Sequence, residues 1–189
     1  MFERYPDVIK FLTPQHPKTS VAPTERAVVG YMDSGWWGQR KIDGRRAQIH
    51  VEGGKVELWT RQGTRHTWEV PEQVKVELRR YCGDRRYTVL DGEWADGRIY
   101  LFDILRDDQV LLNQLNYRDR YERLLLPFIS PVVQLLPILK TTKQCLAELR
   151  RDDPLVEGLV FRDPGARGWF DGAIVRCRRK GTKWSLTST

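Results

Sequence analysis

Lys41 opens a Lys-x-Asp-Gly-x-Arg pattern that closes at Arg46, inside the stretch WWGQRKIDGRRAQIHV of residues 36–51. An amine attacks only when it is neutral. A nucleophilic lysine therefore needs burial or neighbouring cations to lower its pKa, and Arg40, Arg45 and Arg46 are close in sequence. Gly44 permits a tight turn beside a ligand. The same letters also describe a charged surface hairpin, because Asp-Gly is a common turn pair. Taken alone, the motif leaves both readings open. Further segments follow in order: VLDGEW (89–94), YLFDIL (100–105), EGLVFRD (157–163) and VRCRRKGTKW (175–184). In the last of these, strand alternation puts Arg176, Arg178 and Lys180 on one face and Cys177 and Arg179 on the other. For Arg179 the solvated reading is preferred.

As a series, these segments resemble the nucleotidyltransferase (adenylation) domain of ATP-dependent polynucleotide ligases and their mRNA-capping relatives. The flanks agree: GGKVELWTRQG resembles the ligase strand that ends in Arg-x-Gly, and YRDRYERLL resembles the helix after Phe-Asp-Ile-Leu. Coverage runs from about residue 26 to 184. The resemblance implies an ATP-grasp-like nucleotidyltransferase domain of the covalent ligase type. Lys41 would attack the α-phosphate of ATP, leaving AMP as a covalent lysyl adduct. Arg46 would bind ribose or an incoming 5′-phosphate, and Arg61 would lie near phosphate, where a guanidinium fork suits the oxygens. Glu93 would hold the ribose hydroxyl, Phe102 would stack on adenine, and Gln39 and Ile42 would join the nucleotide site. Glu157 would help place a divalent metal, most naturally Mg²⁺. The family's paired lysines on the last strand correspond to Arg178 and Lys180, with Lys183 a rival. Trp36 and Trp37 are candidates for the adenine wall, although packing is the preferred role for the tryptophans.

The activity implied is an ATP-dependent polynucleotide ligase that seals 5′-phosphate/3′-hydroxyl nicks. Nicked or broken nucleic acid is the expected partner, DNA favoured over RNA on KIDGRR and DGRIYLFDIL. An RNA ligase of the same superfamily, a capping-type guanylyltransferase and a non-catalytic nucleic-acid-binding module are the alternatives. The chain departs from the pattern at Gln39, where many DNA ligases carry a glutamate. It also ends five residues after Trp184, with no length for the oligonucleotide-binding barrel that usually follows. The expectation is a bare catalytic domain, a truncated piece, or a chain whose missing domain comes from a separate protein.

These residues need a frame to hold them. Residues 1–25, rich in Pro and Thr, are expected as an extended arm, and 26–189 as the nucleotidyltransferase domain. RAVVGYMD and QRKIDGRRAQIHVEGGKVELWTRQG read as short strands, with EGGK as a hairpin turn. Val74, Leu78 and Tyr81 mark a helix with Pro71 near its start. RRYTVLDGEWADGRIYLFDILRDD reads as a hairpin turning at ADGR. Tyr117, Tyr121, Leu124 and Leu125 mark a helix ended before Pro127, and TTKQCLAELRRDD a shorter one. EGLVFRD and GAIVRCRRKGTKWSL close the chain as strands. The order predicts an α+β domain with antiparallel sheets flanked by helices.

The 189 residues, 40% hydrophobic and 30% charged, fit one folded domain. No apolar run approaches the roughly 18 residues of a membrane span. The charged N-terminus lacks a signal-peptide core, so a cytoplasmic location and no membrane partner are expected. Cys82, Cys145 and Cys177 form no metal or disulfide pattern, and His16, His50 and His66 are too scattered for a metal site. A net charge of +7, from 32 Lys and Arg against 25 Asp and Glu, favours a polyanionic partner.

Overall fold

The computed structural model describes Leu12 and residues 17–108, 110–125, 130–168 and 173–179. Two sheets divide the work. The first runs β1-β10-β9-β2, from β1 (Thr19–Val21), β10 (Ile174–Arg178), β9 (Val156–Arg162) and β2 (Trp37–Ile42). The second runs β4-β3-β5-β6-β7, from β4 (Lys55–Trp59), β3 (Arg45–Glu52), β5 (Tyr87–Ala95), β6 (Arg98–Asp107) and β7 (Val110–Leu111), with β8 (Val133–Leu135) beside β6. Pairing is antiparallel except for β1 with β10 and β6 with β8. Only Asp43 and Gly44 separate β2 from β3. The chain therefore crosses from one sheet to the other immediately after Lys41.

Helices cover the outer faces. On β3, Ala47, Ile49 and Val51 alternate into a core shared with Val74, Leu78, Tyr81 and Cys82 of α2 (Glu72–Cys82) and with Tyr117, Tyr121 and Leu124 of α3 (Tyr117–Leu124). Each buried aliphatic side chain there stabilises the fold by roughly 1.5–3 kcal/mol. Pro71 stands immediately ahead of α2, near its start as expected, and Gly53 and Gly54 take positive φ in the EGGK turn that joins β3 to β4. The first sheet packs Leu159, Phe161, Val175 and Cys177 against Val28 of α1 (Glu25–Asp33) and against Cys145, Leu146 and Leu149 of α4 (Thr142–Arg150). A small third core of Ile42, Ala95, Tyr100, Phe102, Leu136 and Val156 lies where the sheets meet.

The expected strand at RAVVGYMD is a helix. Thr24 caps it, accepting from Ala27 N at 3.2 Å, with Glu25 in the first turn, and only Val28 of its residues is buried. This local capping and burial on one side outweigh the strand preference of two adjacent valines. Within the stretch expected as an arm, Thr19–Val21 pair with Val175–Cys177 as the edge of the first sheet. Among the described residues no helix is long and apolar enough to cross a membrane.

Candidate active site

The sheets enclose a cavity of about 510 Å³ lined by Gln39, Lys41, Ile42, Arg46, Arg61, Glu93 and Phe102, among others. Two departures from regular pairing help shape it. Along β9 the register passes from Lys41↔Gly158 to Ile42↔Val156, so Glu157 is the extra residue of a bulge beside Lys41. Along β6 it passes from Asp91↔Asp103 to Gly92↔Leu101, leaving Phe102 as the extra residue. A bulge re-aims a side chain that regular alternation would send elsewhere. Gly158 takes φ +150°, and a Cβ there would fall on the Cys177 carbonyl. Glycine thus lets β9 run close against β10 beside Lys41.

The Lys41 ammonium pairs with Glu157 Oε1, and Arg178 Nε lies 2.5 Å from Glu157 Oε2. Across the cleft, Arg46 donates from Nε to Asp91 Oδ1 at 2.9 Å and pairs with Oδ2 as well, while its guanidinium lies 5.3 Å from the Phe102 ring centre. Burial opposes the Arg46 charge, but Asp91 outweighs that cost and holds its pKa above the ordinary arginine value. Glu93, directly opposite Arg46 in the β3–β5 ladder, has the reverse balance. Burial pushes its carboxyl up to about 7, against the pull of Lys41 and Arg46.

Gln39 also has a physical account. It is 2% exposed, its Nε2 donates to the Leu136 carbonyl at 3.2 Å, and its Oε1 lies 2.8 Å from the Tyr117 hydroxyl. A glutamate would set a carboxylate oxygen against that carbonyl, two acceptors with no proton between them.

Several expectations shift. Trp36 and Trp37 do not line the cavity: Trp36 packs beside α1, and Trp37 lies edge-on to Tyr117 and Tyr121. Arg179 is not a purely solvated cation, since its Nη2 donates to the Glu148 carbonyl at the end of α4 at 2.8 Å. Lys180 and Lys183 lie outside the described residues. The cavity adds Arg162 and Arg176, which the sequence did not mark as nucleotide contacts. Arg162 is 8% exposed, its guanidinium 5.0 Å from the Phe102 ring centre and 4.8 Å from that of Tyr117. Alternation from Val160 was the available signal, because Leu159 and Phe161 are core.

Residues 19–96 match the family model of the ATP dependent DNA ligase domain. Mycobacterial DNA ligase D complexed with ATP and MES superposes with a TM-score of 0.70 at 22% identity, over 90% of this chain and 61% of that one. The chain has the adenylation-domain fold of ATP-dependent ligases. The ligase domain of M. tuberculosis LigD has the same 22% identity over 90% of this chain and 58% of its own, with a TM-score of 0.67. A Lig E DNA ligase structure gives 0.51 at 17% identity, over 85% of this chain and 68% of that one. The chain spans about three fifths of the length of the ligase D structures that it matches. Among curated proteins no sequence matches it.

Proposed function

We propose that the chain is the catalytic part of an ATP-dependent polynucleotide ligase, with DNA as the favoured substrate. One observation carries the reading: Lys41, Arg46, Glu93 and Phe102 line one cavity between the two sheets, with Glu157 paired to Lys41 at its side. ATP would enter with its base toward Phe102 and Gln39 and its ribose toward Glu93. Neutral Lys41 attacks the α-phosphorus, a P–N bond forms, the bond to the bridging oxygen breaks, and pyrophosphate leaves. The AMP then passes to a 5′-phosphate, and a 3′-hydroxyl displaces it to close the strand. Splitting the ligation in this way replaces one difficult step with easier ones.

Lys41 must lose a proton before it attacks. Glu157 pairs with Lys41 and with Arg178 and so stands where it could also hold a divalent cation beside the α-phosphate. Mg²⁺ suits that place, because it takes one or two carboxylates together with phosphate oxygens. Glu157 and Glu93 are the carboxylates at hand. When bound it would offset charge on the transferring phosphoryl group. Arg178 and Arg176 supply further positive charge from β10.

Incubation with Mg²⁺ and ATP labelled at the α-phosphate tests the reading. Acid-labile label on the protein, absent in Lys41→Ala, is the expected result. No label from ATP or GTP, on protein free of bound AMP, overturns it. Nicked duplexes made wholly of DNA, wholly of RNA, or as hybrids then separate DNA ligase from RNA ligase.

A further inference from the structure

The Tyr117 hydroxyl is buried, 2.8 Å from Gln39 Oε1 and 2.8 Å from the Phe102 carbonyl. Both are acceptors, and a phenol has one proton to share between them. Burial pushes the Tyr117 pKa up, so that proton stays in place. The Leu136 carbonyl, which can only accept, takes Gln39 Nε2 at 3.2 Å and the Tyr121 hydroxyl at 2.8 Å. The Leu136 carbonyl holds the nitrogen end of the Gln39 amide, and the Tyr117 hydroxyl holds the oxygen end when its proton is directed at Oε1. Each end keeps spare capacity: one N–H on Nε2 and one lone pair on Oε1. Gln39 lines the cavity beside Phe102.

Resting on the ATP reading above, we infer that Tyr117 is a specificity-determining positioning residue that fixes the Gln39 amide in one orientation, so that the site distinguishes a 6-amino from a 6-oxo purine. An amide free to flip serves both bases. Adenine offers a 6-amino donor beside a ring-nitrogen acceptor, which a glutamine amide meets with its oxygen and nitrogen in one order. Hypoxanthine offers an oxygen acceptor beside an N1–H donor and needs the reverse order. A pinned amide accepts only one of them. The hydroxyl that pins it also touches the backbone of Phe102, the ring proposed to stack on the base. Tyr117 itself never contacts the nucleotide.

Equilibrium binding of ATP and ITP, which differ only at C6 and N1, tests this without turnover. The wild-type chain is expected to prefer ATP at least tenfold. Tyr117→Phe should reduce the preference at least fivefold, mainly by tightening ITP relative to ATP. Gln39→Met should do the same, and the double variant should lose no more than either single one. Unchanged preference in a Tyr117→Phe protein with wild-type circular dichroism overturns the inference, as does a wild-type chain that does not discriminate. If Tyr117→Phe fails to fold, Gln39→Met decides, and retained preference there overturns the proposal. A chain that prefers ATP yet never forms the covalent adduct would support this inference while removing the ligase reading.

Discussion

Glu93 is the site residue whose charge is most finely balanced. Its carboxyl is pushed up to about 7 by burial, while an unfolded chain leaves it at the ordinary glutamate value of 4.5. Folding therefore favours the protonated form. The contribution is fully present below the unfolded value and is lost as pH rises through the folded one, so ionised Glu93 weighs against stability at pH 8. Glu93→Gln keeps the shape and removes the titration. Its melting temperature should exceed that of the parent at pH 8, with the difference shrinking by pH 5; a difference that does not vary with pH would show that Glu93 is not held in this way. Ligand binding by the same variant should be weaker if the carboxylate holds a ribose hydroxyl. The meeting of Lys41, Arg46 and Glu93 in one cavity could be anticipated because they stand in short motifs. Arg162 was marked only by alternation with Val160 along EGLVFRD, a weaker signal than a motif.

At the level of elements, the sequence exposes periodicity and turn chemistry and hides irregularity. The β3–β4 and β5–β6 hairpins and α2–α4 were legible from alternation, from Asp-Gly and Gly-Gly pairs and from helical spacing. Glu157 and Phe102 stand in motifs, but the bulges that re-aim them arise from pairing between strands distant in sequence, which a single strand does not encode. The helix at RAVVGYMD was missed for a related reason, since its Thr24 cap is a local signal that two valines mask. Arg120 illustrates a buried element contact of the hidden kind. It is 1% exposed on α3, bonds Asp103 of β6 through Nε and Nη2 at 2.9 and 3.0 Å, and donates from Nη1 to the Leu115 and Gly168 carbonyls. Asp103 lies next to Phe102 and 3.8 Å from Arg162, so this pair ties α3 to the wall of the cavity. Replacing Arg120 by Met leaves a carboxylate buried with only the more distant Arg162. The expected loss is about 3–5 kcal/mol, read from the urea midpoint. A loss below ~1 kcal/mol would mean that Asp103 finds another partner or protonates.

Over the whole molecule, charge is sorted by depth. The cations beside Lys41 are paired: Arg46 with Asp91, Arg40 with Glu148, which accepts from Nε and Nη2 at 2.8 and 2.6 Å, and Arg178 with Glu157, whose one carboxylate also pairs with Lys41. Arg45, Arg61 and Arg176 also line the cavity, and among the described residues they have no carboxylate partner. They come from different strands and turns, with Arg45 and Arg61 on the side of the second sheet and Arg176 on the first. Together with a net charge of +7, they give the cleft a rim suited to a phosphate backbone passing over Lys41. If nucleic acid binds there, each neutralised phosphate releases counterions, and the logarithm of the binding constant falls with the logarithm of salt by about 0.9 per contact on duplex DNA. Arg45 is the sharpest probe, because it is exposed and the Lys-x-Asp-Gly-x-Arg pattern leaves its position unspecified. Arg45→Ala should weaken binding to a nicked duplex evenly across sequences and make the salt slope shallower by about one, measured by fluorescence anisotropy over a salt series. An unchanged slope would place the backbone away from Arg45, along a path over Arg61 and Arg176 only. A change that depends on sequence would instead mean that Arg45 reads bases.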